Sequence, residues 1–286
     1  MNSKTKIARL SVASNTLLIV MKIVVGVISG SVSIISEAIH SSMDLIAAII
    51  AFFAVRVSDT PPDSEHPYGH GKVENVSGVI EGLLILVAAI LIIVEAVRKL
   101  LGESFELESL WLGAVVMFVS AVVNTIVSRK LYKVARATNS VALEADALHL
   151  KTDVYTSLGV AAGLSLIIIT GIKWFDPLIA IVVALFIVKE SYNLIKRAFF
   201  PLIDASWCNE DIRDLEQNLG KMAVNYHDLR TRVAGNYRFI DIHVEIPENE
   251  SVGNAHNYCD KIEDELKSIY GNLTVTIHVE PSQISQ

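Results

Sequence analysis

Two apolar segments each carry a histidine and an aspartate four residues apart, the spacing of a metal-binding pair on a helix. The pairs are His40–Asp44 and His149–Asp153. Helix positions i and i+4 lie about 5–6 Å apart on one face, so each segment offers one nitrogen and one oxygen ligand to a single point. Two such helices complete a tetrahedral N2O2 shell. Because ionisable groups inside a membrane are costly without a task, the duplicated pair indicates a cation that crosses a bilayer.

The ligand types narrow the choice of metal. Four protein ligands without a thiolate suit Zn²⁺, with Cd²⁺, Co²⁺ or Fe²⁺ as alternatives, and two imidazoles disfavour Mn²⁺ and Mg²⁺. Each histidine also follows a carboxylate by three residues, Glu37 or Asp146. We expect these acids to orient the imidazoles from outside the coordination shell. The sequence assigns no role to Lys22, which lies in the first apolar segment.

A polar loop between two apolar segments contains a second group of candidate ligands. They are Asp63, His66 and His70, and Pro67 and Gly69 shape the backbone between them. Three ligands at this spacing can converge from a turn or a short helix onto one metal. The alternative is a solvated loop with incidental histidines.

The C-terminal part contains a third group of candidate ligands on predicted strands. Apolar residues alternate with Asp241, His243 and Glu245, so these three side chains share one face of a sheet. The same alternation in 275–280 gives a second strand with a polar face. The alternative is an ordinary sheet with one solvated face. His278 and Glu280 share the polar face of that second strand, His227 opens the neighbouring strand, and His256 lies early in the second predicted helix of this part.

The apolar residues form six segments in a chain of 286 residues that is 52% hydrophobic. Most segments reach the roughly 20 residues that a helix needs to cross a bilayer. We therefore expect a membrane all-α six-helix transmembrane bundle over residues 1–204. The segments are Leu10–Ile28, Val32–Val57, Val76–Val97, Leu110–Ser128, Val141–Thr170 and Pro177–Leu194.

Residues 205–286 differ in composition and predict a small α+β domain. They carry 14 acidic and 7 basic residues, which is the whole of the net charge of −7. This acidity attracts cations and argues against a nucleic-acid partner. Cys208 and Cys259 are expected to be reduced thiols. The predicted αββαβ elements are Asn209–Val224, capped by its first residue, then His227–Val233, Arg238–Ile246, Val252–Tyr270 and Leu273–Glu280.

The basic residues predict an orientation in the membrane. They are concentrated at the N-terminus and after the fourth apolar segment, and are fewer in the loops of the opposite side. The positive-inside rule then places both termini in the cytoplasm of a multi-pass protein of the cell (inner) membrane.

Together these motifs resemble the cation diffusion facilitator family, the zinc-type divalent-cation/proton antiporters, over nearly the whole chain. Further matching motifs are Gly30-Ser31, Gly69-His70-Gly71-Lys72 and 227–232. The resemblance implies a bacterial-type transporter with a metallochaperone-like cytoplasmic domain. It assigns the paired residues to the transport site and the loop triad to a second metal site. It also implies that the tail ligands form a regulatory binuclear Zn²⁺ site at a homodimer interface, and these ligands are His227, His243, His256, His278 and Glu280.

The resemblance also implies that Lys72 pairs with Asp204 as an interlock between dimer, tail and membrane part. Two residues depart from the family pattern. Many bacterial members have Asp at the position of His40, whereas His is typical of zinc-selective animal members. Glu280 stands where Asp is common. The imidazole of His40 is expected to favour Zn²⁺ over Cd²⁺ and to carry a transported proton.

These observations favour an exporter that exchanges Zn²⁺ for protons by alternating access. One rival is a membrane-anchored metal sensor or scaffold, in which the paired intramembrane ligands would serve no purpose. The other is an intramembrane metalloenzyme, which needs an open metal position and a general base, as in HExxH. No HExxH occurs in the chain, so we expect a transporter and not an enzyme.

Overall fold

The computed structural model describes residues 3–29, 32–101, 110–170 and 174–282. The chain divides into two units, Met1–Phe199 and Phe200–Gln286. In its described residues the first unit contains six helices of 25 to 30 residues. They are α1 (Ser3–Ser29), α2 (Val32–Ser58), α3 (Lys72–Leu100), α4 (Leu110–Thr138), α5 (Val141–Thr170) and α6 (Phe175–Phe199).

Three segments of the described helices are long and apolar enough to cross a membrane by length and composition. These are Ser3–Ile28, Lys72–Arg98 and Pro177–Ile203. Large apolar side chains such as Leu17 and Phe118 are about 70% exposed on the outside of the bundle, as expected of a surface that faces lipid. Six crossings remain a prediction.

The helices pack in the pairs α1 with α2, α3 with α6, and α4 with α5. Gly78 and Gly82 lie one turn apart on α3 and allow a close approach. A Cβ atom on Gly82 would lie 2.6 Å from Cγ1 of Ile195 on α6. α5 is central, because its buried residues pack against α4 on one side and against α3 and α6 on another.

A buried charge network joins the ends of four helices. The Nζ atom of Lys4 lies 2.6 Å from the carboxylate of Asp59 and 2.9 Å from that of Glu74. The Glu74 carboxylate also accepts hydrogen bonds from Ser58, at 2.7 Å, and from Ser140 at the start of α5. The Lys4 and Glu74 side chains are each only 2% exposed, so this network is an internal part of the bundle.

The second unit has the predicted αββαβ order, which confirms the predicted fold class. A 3-10 turn (Phe200–Ile203) precedes α7 (Asn209–Lys221), and the sheet order is β1-β2-β3. β1 and β2 are antiparallel, whereas β2 and β3 are parallel. Ile240, Ile242 and Val244 of β2 are buried under the helices. The other elements are β1 (Tyr226–Ala234), β2 (Tyr237–Ile246), α8 (Val252–Tyr270) and β3 (Leu273–Pro281).

Local details of this unit correct the sequence prediction at α7. Asn209 is the first helical residue, and the N-cap is Cys208, which makes no side-chain cap hydrogen bond. A cap must keep extended backbone angles, and Cys208 has them. The hairpin turns at Gly235, whose φ of +62° favours glycine. Cys208 and Cys259 are free thiols, as predicted.

Candidate metal sites

Three of the four predicted membrane ligands converge in the bundle. Candidate ligand atoms of Asp44, His149 and Asp153 all lie within 4.8 Å of one another, and we call these three residues the membrane cluster. Nε2 of His149 is 2.9 Å from Oδ1 of Asp44, which links α5 to α2. The side chains of Asp44 and His149 are 9% and 13% exposed. One imidazole and two carboxylates, buried together, form a compact and negatively charged binding site for a divalent cation.

His40 lies in α2 one turn before Asp44. Its side chain lies outside the described part of the structure, so the fourth ligand of the predicted N2O2 shell remains a prediction. Helix geometry directs positions 40 and 44 to one face of α2.

Two buried asparagines support the membrane cluster, and the sequence analysis missed both. Nδ2 of Asn124 on α4 donates to Oδ2 of Asp153 at 3.4 Å. Nδ2 of Asn15 on α1 donates to the backbone carbonyl of Asp44 at 3.4 Å. Both are less than 10% exposed. The available signal was an amide side chain inside an otherwise apolar segment, because such a group needs a partner in a membrane.

Asp146 does not accept a hydrogen bond from the imidazole of His149, as its expected orienting role would require. Nδ1 of His149 and both carboxylate oxygens of Asp146 are buried without a hydrogen-bond partner in the described structure. Asp146 instead lies near Ser11 of α1. Residues i and i+3 share a helix face, but the short side chain of Asp146 is directed toward α1 and does not reach the imidazole. Glu37, the equivalent acid on α2, has a side chain outside the described part.

Lys22, to which the sequence analysis assigned no role, is buried between two helices of the bundle. Its side chain is 4% exposed, and Nζ lies 2.5 Å from Oγ of Ser41. Ser41 lies on α2 next to His40. Lys22 therefore fixes α1 to α2 beside the membrane cluster.

The loop ligands lie together between α2 and α3. Asp63, His66 and His70 have candidate ligand atoms within 4.8 Å of one another. Oδ1 of Asp63 accepts the backbone N–H groups of Glu65 and His66 at 3.0 and 2.7 Å. These bonds, the one from His66 first, lower the pKa of Asp63, so its carboxylate stays charged. Gly69 adopts φ +82°, which turns the loop and brings the two imidazole centroids within 4.4 Å.

The tail ligands lie in one row across three strands. His227 on β1 is opposite His243 on β2, and His243 is opposite His278 on β3. A register shift follows His227, and such irregularities re-aim side chains. Glu280 connects the row, since its carboxylate lies 3.2 Å from Nε2 of His227 and 3.0 Å from Nδ1 of His243.

Other tail predictions have a different geometry. His278 lies 3.6 Å from Glu280. Among the described residues of the tail, however, only His227, His243 and Glu280 have candidate ligand atoms that all lie within 4.8 Å of one another. His256 lies on α8, is 73% exposed and is 3.6 Å from Asp260. Its assignment as a tail ligand remains a prediction.

The predicted Lys72–Asp204 pair joins residues of the two different units. Within its own unit, Asp204 lies 3.6 Å from Arg232. The interlock remains a prediction.

Comparisons with known proteins find relatives that match both units. The model of the cation efflux transmembrane domain matches residues 8–203, and that of the cation efflux protein cytoplasmic domain matches 209–282. An uncharacterised transporter of Synechocystis, sll1263, is 37% identical over 89% of this chain and 83% of its own. The cation-efflux pump FieF of Shewanella oneidensis is 34% identical over 97% and 94%. The manganese efflux system protein MneP of Bacillus subtilis is 27% identical over 96% and 95%.

The family match covers most of the chain and includes the helices that carry the membrane cluster. Members of this family are transporters and not enzymes, which confirms the prediction. The chain belongs to the cation efflux, or cation diffusion facilitator, family and is a membrane protein for the export of divalent cations.

Proposed function

We propose that the protein exports Zn²⁺ from the cytoplasm in exchange for protons, through a site formed by His40, Asp44, His149 and Asp153. The convergence of Asp44, His149 and Asp153 inside the membrane unit carries the proposal. The site draws ligands from α2 and α5, so a relative movement of these helices would change its access and its affinity together. The helix bundle then works by alternating access.

The choice of Zn²⁺ follows from the ligand set. A shell of two imidazoles and two carboxylates suits Zn²⁺, whereas Mn²⁺ prefers oxygen ligands. The relative MneP is named for manganese, which makes Mn²⁺ the competitor to test. Cd²⁺, Co²⁺ and Fe²⁺ remain alternatives.

Proton exchange follows from the chemistry of the same ligands. A metal ion binds the deprotonated imidazole and carboxylate, so it competes with protons for the site. A proton gradient directed inward therefore releases the metal outside and resets the empty site. The imidazole of His40 is proposed as a carrier of one exchanged proton.

The loop and tail clusters are proposed to bind metal without transporting it. The row formed by His227, His243 and Glu280 would hold regulatory Zn²⁺, with His278 and His256 as further ligands. The match to the family's cytoplasmic domain supports a homodimer. Lys72 and Asp204 are proposed to link the units, and the distribution of basic residues supports cytoplasmic termini.

The test measures flux in proteoliposomes with an imposed pH gradient. Wild type is compared with Asp44→Ala and Asp153→Ala. Asp59→Ala is the control, because it removes an aspartate after α2 that lies outside the membrane cluster. Zn²⁺ flux should require the gradient, disappear in both site variants and persist in the control, and Zn²⁺ should be preferred over Mn²⁺. Gradient-dependent flux in Asp153→Ala would refute the site assignment, and metal binding without flux in wild type would favour a sensor.

A further inference from the structure

A groove between α4, α5 and α6 contains a concentration of positive charge that the transport proposal does not use. Its volume is about 990 Å³, and it lies wholly within the membrane unit. We call it the basic groove, after its five cationic residues. They are Arg129, Lys133, Arg136, Lys151 and Arg197.

The sequence spacing explains why these charges meet. Arg129, Lys133 and Arg136 occupy positions i, i+4 and i+7 of α4, which share one helix face. Lys151 contributes from α5 and Arg197 from the last turn of α6. The groove therefore gathers cations from three helices.

The acidic residues of the groove do not neutralise it. Glu144 and Glu190 are its two carboxylates, against five cations. Oε1 of Glu144 lies 2.5 Å from Nη1 of Arg197, so this carboxylate balances the charge of one cation. A net charge of about +3 remains. Such a surface repels a divalent metal ion and attracts an anion, so it has no place on the metal path.

Aromatic side chains hold one cation in the wall of the groove. Nζ of Lys151 lies 5.6 Å from the ring centroid of Tyr132 and 5.3 Å from that of Tyr155, both within cation–π range. Tyr155 in turn packs edge-on against Phe186. These ring contacts hold the ammonium group of Lys151 at the wall of the groove.

The groove changes from charged to apolar along α5. Glu144 lies at the end where α5 begins, whereas Val154 and Leu158, which also line the groove, lie about three to four turns further along α5. Leu158 is 59% exposed. A phospholipid has the same polarity, with a charged phosphate at the membrane surface and acyl chains toward the centre.

We propose that the basic groove binds the phosphate group of an anionic phospholipid, whose acyl chains lie along the apolar part of α5. Charge complementarity selects the anionic headgroup, and the apolar lining formed by Val154 and Leu158 selects a lipid over a free anion. Four of the five cations lie on α4 and α6 near the helix ends that follow the apolar segments, a position where basic side chains meet headgroups. The fifth is Lys151 of α5.

Native mass spectrometry of the full-length protein in neutral detergent tests the proposal. Dioleoyl phosphatidylglycerol is titrated against wild type, with dioleoyl phosphatidylcholine and inorganic phosphate as separate arms. The expected result is one tightly bound phosphatidylglycerol per protomer and weaker binding of phosphatidylcholine. Excess inorganic phosphate should not displace the lipid. Equal binding of both lipids, or complete displacement by phosphate, would overturn the proposal.

Matched variants locate the site. Lys133→Gln removes a cation that lines the groove, whereas Lys130→Gln removes an exposed cation of the same helix that does not line it. Phosphatidylglycerol affinity should fall about fivefold for each lining cation removed and should be unchanged in Lys130→Gln. Arg136→Gln is a second lining variant in case the first does not fold. Equal loss in lining and control variants would place the lipid elsewhere.

Discussion

Replacing Glu74 with glutamine should destabilise the helix bundle strongly. Its carboxylate accepts hydrogen bonds from Lys4, Ser58 and Ser140, and both partners of the Lys4–Glu74 pair are 2% exposed. Glutamine keeps the shape but removes the charge and one acceptor oxygen. Breaking a buried ion pair costs about 3–5 kcal/mol. Because Lys4 keeps its contact with Asp59 at 2.6 Å, we expect a loss of about 3 kcal/mol, at the lower end of that range.

The matched control is Asp59→Asn, which removes the other carboxylate that contacts Lys4. The side chain of Asp59 is 25% exposed, so water can replace part of its interaction with Lys4. The free energy of unfolding should therefore fall by about 1 kcal/mol or less. The double variant Lys4→Met/Glu74→Met replaces the pair by apolar side chains. It should be more stable than Glu74→Gln, because no buried charge is left without its main partner.

Equilibrium unfolding in mixed micelles, followed by circular dichroism, measures all three variants against wild type. The order of stability should be wild type, Asp59→Asn, the double variant and then Glu74→Gln. Equal losses in Glu74→Gln and Asp59→Asn would refute the reasoning, because the difference in burial is what separates the two carboxylates.

Three further predictions test other parts of the structure. Gly82→Ala should lower the free energy of unfolding by about 1–3 kcal/mol, because the added methyl group overpacks the contact between α3 and α6. The control is Gly220→Ala, whose Cβ meets nothing within 4 Å, and it should be neutral or stabilising in the same unfolding assay. Glu280→Gln should lower the Zn²⁺ affinity of the tail by more than about tenfold in calorimetric titration. His256→Ala should lower it by a smaller factor, because this proposed ligand lies outside the group of His227, His243 and Glu280. Burial raises the pKa of Tyr270 to about 12. In the unfolded state this phenol ionises near pH ~10, so the free energy of unfolding of wild type should fall as the pH rises from about 10 to about 12. The fall should be smaller in Tyr270→Phe, which has no phenol to ionise.

The order of elements in the second unit was predictable because its signals are local. Alternation of period 2 in β2 determines which side chains are buried, and Ile240, Ile242 and Val244 are indeed in the core. α8 has the predicted bounds, since Ser251 caps its start and Gly271 follows its end. The cap of α7 was not predictable, because the backbone angles of Cys208, and not its side chain, set that start.

The membrane cluster was predictable only as two halves. Helix spacing brings His149 and Asp153 to one face, but nothing local says that Asp44 of another helix will meet them. The inference came from the cost of isolated charges in a membrane. The Lys4–Glu74 pair joins residues 70 positions apart. Charges near helix ends are ordinary in sequence, so no pattern indicated this contact.

α5 carries candidate metal ligands on one face and part of the basic groove on another. Lys151 lies between His149 and Asp153 in sequence and, at about 100° per residue, points away from both. A movement of α5 that rearranges the metal ligands must therefore also change the groove. Lipid and metal affinities should then be linked, and the linkage must be reciprocal. Saturating Zn²⁺ should change the dissociation constant of phosphatidylglycerol in native mass spectrometry, and Asp153→Ala should abolish that change. Identical lipid affinity with and without Zn²⁺, at confirmed metal occupancy, would show that α5 does not couple the two sites.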